Sequence, residues 1–116
     1  MEAYPNPSPD HAKKAAQIIF SRIKKYNFAE IEKILNSDYP VDHPVTDTQM
    51  SSFSFACSLR VENSEQEVLN TQLLATIMNK NPIINHQDKF KRSPLHQASI
   101  AGNIAAVKYL LEVGMP

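Results

Sequence analysis

Between Ser93 and Met115 the chain reads SPLHQASIAGNIAAVKYLLEVGM, and apolar residues recur there at helical spacing twice in succession. Leu95, Ala98 and Ser99 stand at i, i+3 and i+4, which is one buried stripe of a helix. Ser93 is placed to cap that helix, because its hydroxyl can accept from the free N–H groups of the first turn. Pro94 follows at the first helical position, where a missing N–H costs nothing. Ala98 and Ser99 are small and let a second helix come close. Gly102 suits the left-handed backbone that stops a helix. Asn103 can cap the next one, whose apolar face is Ile104, Val107, Leu110 and Leu111, and Gly114 closes it. The pattern predicts two short antiparallel helices joined by a tight turn.

Upstream the same periodicity is weaker but present. Residues 1–9 (MEAYPNPSP) form an extended arm, since Pro5, Pro7 and Pro9 favour polyproline-like backbone; the arm is either a frayed terminus or a strap anchored on a partner by Tyr4. A helix is predicted from Ser8–Pro9 to about Lys25, with Ala12, Ala15, Ala16, Ile19, Ile23 and Tyr26 along its buried stripe. Lys13, Lys14, Arg22, Lys24 and Lys25 lie off that stripe and read as a solvated face. Asn27 and Glu30 have capping-box spacing ahead of a helix through Ile31, Ile34 and Leu35. Residues 51–57 (SSFSFAC) form another short helix. Asn63 or Ser64 caps a longer one running to about Asn79, with Leu69, Leu73, Ile77 and Met78 facing inward.

Ile31, Ile34, Leu35 and Asp38 align with Leu74, Ile77, Met78 and Asn81, and again with Val107, Leu110, Leu111 and Gly114. Asp, Asn and Gly best tolerate a left-handed backbone, so the three closing positions agree with the apolar ones. Asn27, Asn70 and Asn103 also coincide. These agreements mark an internal repeat of helix pairs.

The run Ser93-Pro94-Leu95-His96-x-Ala98 resembles the Thr-Pro-Leu-His-x-Ala signature of the ankyrin repeat. Gly102, Val107, Leu110, Leu111 and Gly114 fall where that family has Gly, Val, Leu-Leu and Gly, and Asp88 matches the Asp that opens the preceding turn. Lys91 stands where the family usually has Gly, so it must tolerate a strained turn or reshape it. The resemblance implies an all-α solenoid of about three stacked helix pairs. It divides residues 10–116 into a degenerate first repeat (10–42), a second repeat carrying an insertion (43–85) and a third (86–116). The spacing of one repeat is close to the family's ~33 residues and the other is longer. The surplus is Arg60 to Glu67 (RVENSEQE), either a plain loop extension or a projection that presents Glu62, Glu65 and Glu67. In the second repeat Ser52 and Ser54 replace the signature Pro and His. Residues 40–50 and 81–92 are then turns projecting between repeats. The resemblance gives His96 a structural part, hydrogen-bonded to the capping hydroxyl and nearby backbone.

Composition narrows the function. The 116 residues carry 12 basic and 12 acidic side chains, for a formal net charge of zero, so no global field draws the chain to nucleic acid or membrane. No apolar run reaches the ~18 residues that span a bilayer. The N-terminus lacks a signal-peptide core and is not an Arg-rich presequence. The single cysteine, Cys57, forms no internal disulfide and suits a reducing intracellular compartment such as the cytoplasm, a cytoskeletal assembly or an organelle; flanked by Phe55 and Ala56, it reads as a core residue. With two glycines there is no glycine-rich phosphate loop. His11, His43, His86 and His96 show no paired metal-ligand spacing with one another or with Cys57. No acid–base or nucleophile constellation can be assembled, so an enzyme, a cofactor and a metal are not expected.

By analogy with similar repeats, the partner-binding positions are the exposed turn and the solvent side of the third repeat's first helix: Lys89, Phe90, Lys91, Arg92, Gln97, Ile100 and Ala101. Phe90 and Ile100 are apolar where solvent is expected, and an aromatic with a basic rim suits an acidic protein surface. Ile104, Val107 and Tyr109 lie on the last helix with no successor to cover them, so a partner covers that end or the chain is the front of a longer stack. The expected function is a non-catalytic protein–protein interaction module, an adaptor or structural subunit of a larger assembly. A free-standing regulator that inhibits an enzyme, or the N-terminal module of a longer protein, are the alternatives.

Overall fold

The computed structural model describes residues 9–37 and 39–113, with side chains from Lys13 onward. The arm with Tyr4, the Ala12 side chain, and the closing residues Asp38 and Gly114 lie outside the described residues. Six helices follow one another: α1 (Pro9–Lys24), α2 (Phe28–Leu35), α3 (Ser52–Cys57), α4 (Ser64–Met78), α5 (Pro94–Ala101) and α6 (Ile104–Glu112). Among the described residues there is no strand.

Helices α2 to α6 each start where a short polar side chain caps them. Asn27, Ser51, Asn63, Ser93 and Asn103 accept from the backbone N–H three residues on, at Glu30, Ser54, Gln66, His96 and Ala106. That satisfies one of the orphan donors of each first turn. In the first and third pairs a left-handed residue joins the two helices. Gly102 takes this conformation at φ 71° and Tyr26 at φ 54°. Asn81, after α4, is also left-handed at φ 54°, as its place in the repeat predicts. A left-handed tyrosine costs ~1–2 kcal/mol. Its side chain offsets this, with the ring packed against Phe28 and the hydroxyl accepting from Asn70 Nδ2 at 3.2 Å.

The pairs α1–α2, α3–α4 and α5–α6 stack so that α1, α3 and α5 form one layer and α2, α4 and α6 the other. The core lies between the layers and runs through all three pairs. Ile19, Ile23, Ile31, Phe53, Ala56, Cys57, Leu73, Leu74, Ile77, Ala98, Ala106 and Leu110 are completely sealed from solvent. Burial pushes the Cys57 thiol far above its usual range, which removes the thiolate that reactivity requires.

A buried polar seam crosses this core. Asn103 and Asn70 are both at 0 % exposure. Asn103 Nδ2 donates to Asn70 Oδ1 (3.0 Å) and to the Cys57 carbonyl (3.2 Å). Asn70 Nδ2 donates to the Ala56 carbonyl (3.1 Å) and to Tyr26. Asn103 Oδ1 still caps α6 through Ala106 N–H at 2.9 Å. The seam therefore ties the first, second and third pairs together and satisfies the carbonyls at the end of α3. The coincidence of Asn70 with Asn103 in sequence is a direct contact in space, whereas Asn27 stays outside it as an exposed cap.

The insertion lengthens α4 by extending its N-terminus. Glu67 reaches across to Lys108 of α6 (3.1 Å), and Glu62 pairs with Arg60 (3.3 Å). Two of its three acids are therefore engaged within the chain.

Several expectations for the last pair need correction. Leu111 is 61 % exposed, Ile104 is 49 % exposed and Ser99 is exposed, while Leu95 is half-buried against the core. α6 rests on α4 and α5, so one flank of the last pair is covered, and Ala105, Ala106 and Leu110 are the residues of α6 it buries. Val107 and Tyr109 are half-buried.

Two predictions follow from the core. Leu110→Ala lowers stability by about 2–5 kcal/mol, the usual cost of a cavity in a sealed core, and chemical denaturation reads it directly. Asn103→Ala strands two buried acceptors of the second pair, Asn70 Oδ1 and the Cys57 carbonyl, and costs on the order of 1–3 kcal/mol. Asn70→Ala and Asn103→Ala together fall short of additivity by ~0.5 kcal/mol or more; strictly additive losses in a denaturation series would contradict a shared network.

Candidate protein-interaction surface

The projecting turn before α5 is built on one carboxylate. The side chain of Asp88 has no solvent exposure and accepts four hydrogen bonds: Phe90 N–H (2.8 Å), Arg92 N–H (2.9 Å), Arg92 Nε (3.0 Å) and Gln97 Nε2 (2.6 Å). A buried charge persists only when paired and fully hydrogen-bonded. Burial pushes this carboxyl upward, but the Arg92 and Phe90 amides and the Arg92 guanidinium outweigh it and hold the group below its ordinary value.

The backbone of the turn closes between Asp88 and Arg92, with Asp88 N–H on the Arg92 carbonyl at 3.0 Å. Lys91 sits at its corner with φ 65°, so the lysine adopts the left-handed backbone that the family's glycine would supply. The turn before α3 repeats the device. There Gln49 has φ 68°, Thr46 Oγ1 takes the place of the aspartate, and Met50 N–H donates to it at 3.1 Å. The two turns are bonded edge to edge. Lys89 N–H donates to the Thr48 carbonyl (2.7 Å) and His86 Nε2 lies 3.1 Å from the Gln49 carbonyl. Ile83 N–H donates to Asp42 Oδ1 at 2.9 Å. Each turn braces its neighbour, and the tips are held rather than loose.

The residues expected to meet a partner divide in this geometry. Lys89, Phe90 and Lys91 are exposed at the tip, with Phe90 at 59 %, and Ile100 is 62 % exposed on α5. Ala101 is half-buried. Arg92 is also half-buried; its guanidinium lies 4.9 Å from the Phe90 ring centre while its Nε holds Asp88. Gln97 is a correction. It is 5 % exposed and turned inward, because the buried Asp88 carboxylate needs its amide as a donor. His96 is another: its side chain is exposed, and it is the backbone N–H of His96 that donates to Ser93 Oγ, at 3.3 Å. The hydroxyl-to-side-chain bond expected there occurs in the second pair instead, where Ser51 Oγ donates to Ser54 Oγ at 3.3 Å.

One feature of this face escaped the sequence reading. Phe20 of α1 stacks on Phe55 of α3, with ring centres 4.4 Å apart and planes 18° apart. Phe55 occupies the same place after its capping serine as Gln97 does, so the repeat pointed to the position. Nothing in the sequence joins Phe20 to it. Among the described residues, no three His, Cys, Asp or Glu side chains gather as metal ligands. No described helix is long and apolar enough to cross a membrane.

Stacked antiparallel helix pairs with braced turns projecting from one edge define a helical repeat protein of the solenoid class. Residues 70–111 match the family model of ankyrin repeats (many copies), so the family's sequence pattern is borne by α5, α6 and the main part of α4. No curated protein matches the chain. Ankyrin repeats generally mediate protein–protein interaction.

The Asp88 network has a pH signature. A carboxyl held low in the folded state contributes stability that is complete above its unfolded value of about 3.9 and is lost as pH falls through the folded one. Thermal melts of the native chain and of Asp88→Asn should therefore differ at neutral pH and converge in acid, below about pH 4. A constant gap across that window would show that the Asp88 charge contributes nothing. Lys91→Gly relieves a left-handed lysine and raises stability by roughly 0.5–1 kcal/mol, readable as an upward shift in melting temperature.

Proposed function

We propose that this chain is a non-catalytic interaction module that serves as an adaptor or structural subunit of a larger protein assembly. The observation that carries the reading is Phe90, a large apolar side chain 59 % exposed on a turn that Asp88 and the preceding turn hold in place. A rigid, prepositioned aromatic loses little freedom on binding, so more of its contact free energy appears as affinity. Lys89 and Lys91 flank it and Arg92 stacks on it, which favours a partner surface rich in carboxylates. Ile100 extends the apolar area along α5.

A subunit role is favoured over a free-standing enzyme inhibitor by the end of the stack. Ile104 and Leu111 of α6 and its C-cap Val113 are 49 %, 61 % and 39 % exposed, apolar surface of the kind that interfaces cover. The free, buried Cys57 accords with a reducing intracellular compartment, and the balanced charge gives no drive toward nucleic acid.

Arg92 cannot be reversed cleanly, because a glutamate there would face the buried Asp88. Phe90→Ala with Lys89→Glu removes the anchor and one rim charge and leaves the Asp88 network whole. Affinity purification from native extract should lose the co-eluting protein with this variant, while the melting temperature stays within the ±0.5 kcal/mol equivalent of an ordinary surface change. Undiminished capture would overturn the reading.

A further inference from the structure

A second feature lies beyond the turn that braces the Phe90 turn, on the side of α1. Gln17 and Phe20 of α1, Val45, Thr46 and Asp47 of the turn before α3, and Phe55 line an open groove of about 500 Å³. Its floor is the stacked pair Phe20–Phe55. A smaller hollow shares Gln17, Val45, Thr46 and Asp47 and continues the groove to Lys13. At the other end the Lys24 ammonium stands 5.6 Å from the Phe20 ring centre. An apolar floor therefore lies between two exposed lysines.

Charge identifies the occupant. α1 brings Lys13, Lys14, Arg22 and Lys24, and none of them is ion-paired with a described carboxylate. The groove itself contains one carboxylate, Asp47. Apolar volume rimmed by unpaired ammonium groups suits a bulky apolar side chain whose chain neighbours are carboxylates. We propose that this groove docks an acidic peptide segment of a partner protein, inserting one aromatic or large aliphatic side chain over Phe20–Phe55 with its carboxylates on Lys13 and Lys24. The proposal rests on the reading of the chain as a protein-interaction module and adds a site that the turn at Phe90 does not include. The sign of the charge also disfavours a basic segment, which α1 would repel.

Phe55 is part of the core, so its truncation risks the fold. Lys13→Glu with Lys24→Glu reverses the rim and leaves the floor intact. The test is an amide-resolved NMR titration of the whole chain with two synthetic heptapeptides, one with phenylalanine flanked on each side by three Asp or Glu residues, the other with Asn and Gln in their place. The inference expects shifts centred on Gln17, Phe20, Val45, Thr46, Asp47 and Phe55 with the acidic peptide. Affinity should fall roughly fivefold or more in the double-reversal variant and weaken with added salt. It should persist in Phe90→Ala with Lys89→Glu. Shifts confined to 89–92 would overturn the groove and leave the Phe90 reading standing. Equal binding of the neutral peptide, or no shift with either, would overturn the inference.

Discussion

The hydrogen bond between Asn103 and Asn70 is the contact on which the stack depends. A helix pair of this size buries one side only, and its apolar residues are insufficient to hold it alone. Greasy surfaces by themselves accept many registers. A buried amide does not, because every donor and acceptor must meet a partner when water is absent. Asn103 meets this demand at Cys57 and Asn70, and Asn70 at Ala56 and Tyr26. One sliding step between pairs would strand them all. The apolar core supplies the driving force, and the amide seam sets which pair faces which.

The turns show the same logic at the edge of the molecule. Asp88 is a charge with no solvent, and its cost is offset by drawing four donors inward. That arrangement takes Gln97 and part of Arg92 out of the surface and leaves Phe90 as the exposed tip. Rigidity and recognition are thus linked through one buried group. The residue that organises the proposed interface, Asp88, is itself buried.

The surface carries two chemical zones of the same sign. A basic, aromatic tip stands on the third pair and a basic-rimmed aromatic groove lies between the first and second. Two acids of the insertion, Glu65 and Glu67, sit on α4, where Glu67 pairs with Lys108. A chain with no net charge can therefore still carry locally basic surface around Phe90 and along α1. A global count would hide this, since an interface senses charge locally, within a Debye length of about 8–10 Å.

Six helices, their caps and the ankyrin pattern at Ser93–Ala98 were legible from residue order alone, because caps, helical periodicity and left-handed closures are decided by neighbours within a turn or two. Lys91 was legible through the resemblance alone, since it stands where the family usually has Gly, and the structure decides that it tolerates the left-handed backbone. Exposure along α6 was not, as Leu110 and Leu111 look alike until the position of α4 shows that one side has a neighbour. The inward turn of Gln97 and the outward one of His96 were hidden too, since they depend on a carboxylate whose burial arises when the turn packs. Phe20 and Phe55 are far apart in the chain and meet only once α1 and α3 lie side by side. Local physics specifies the elements; which side chains remain to meet another molecule is decided by long-range packing, where each buried polar group must find partners that the sequence does not place next to it.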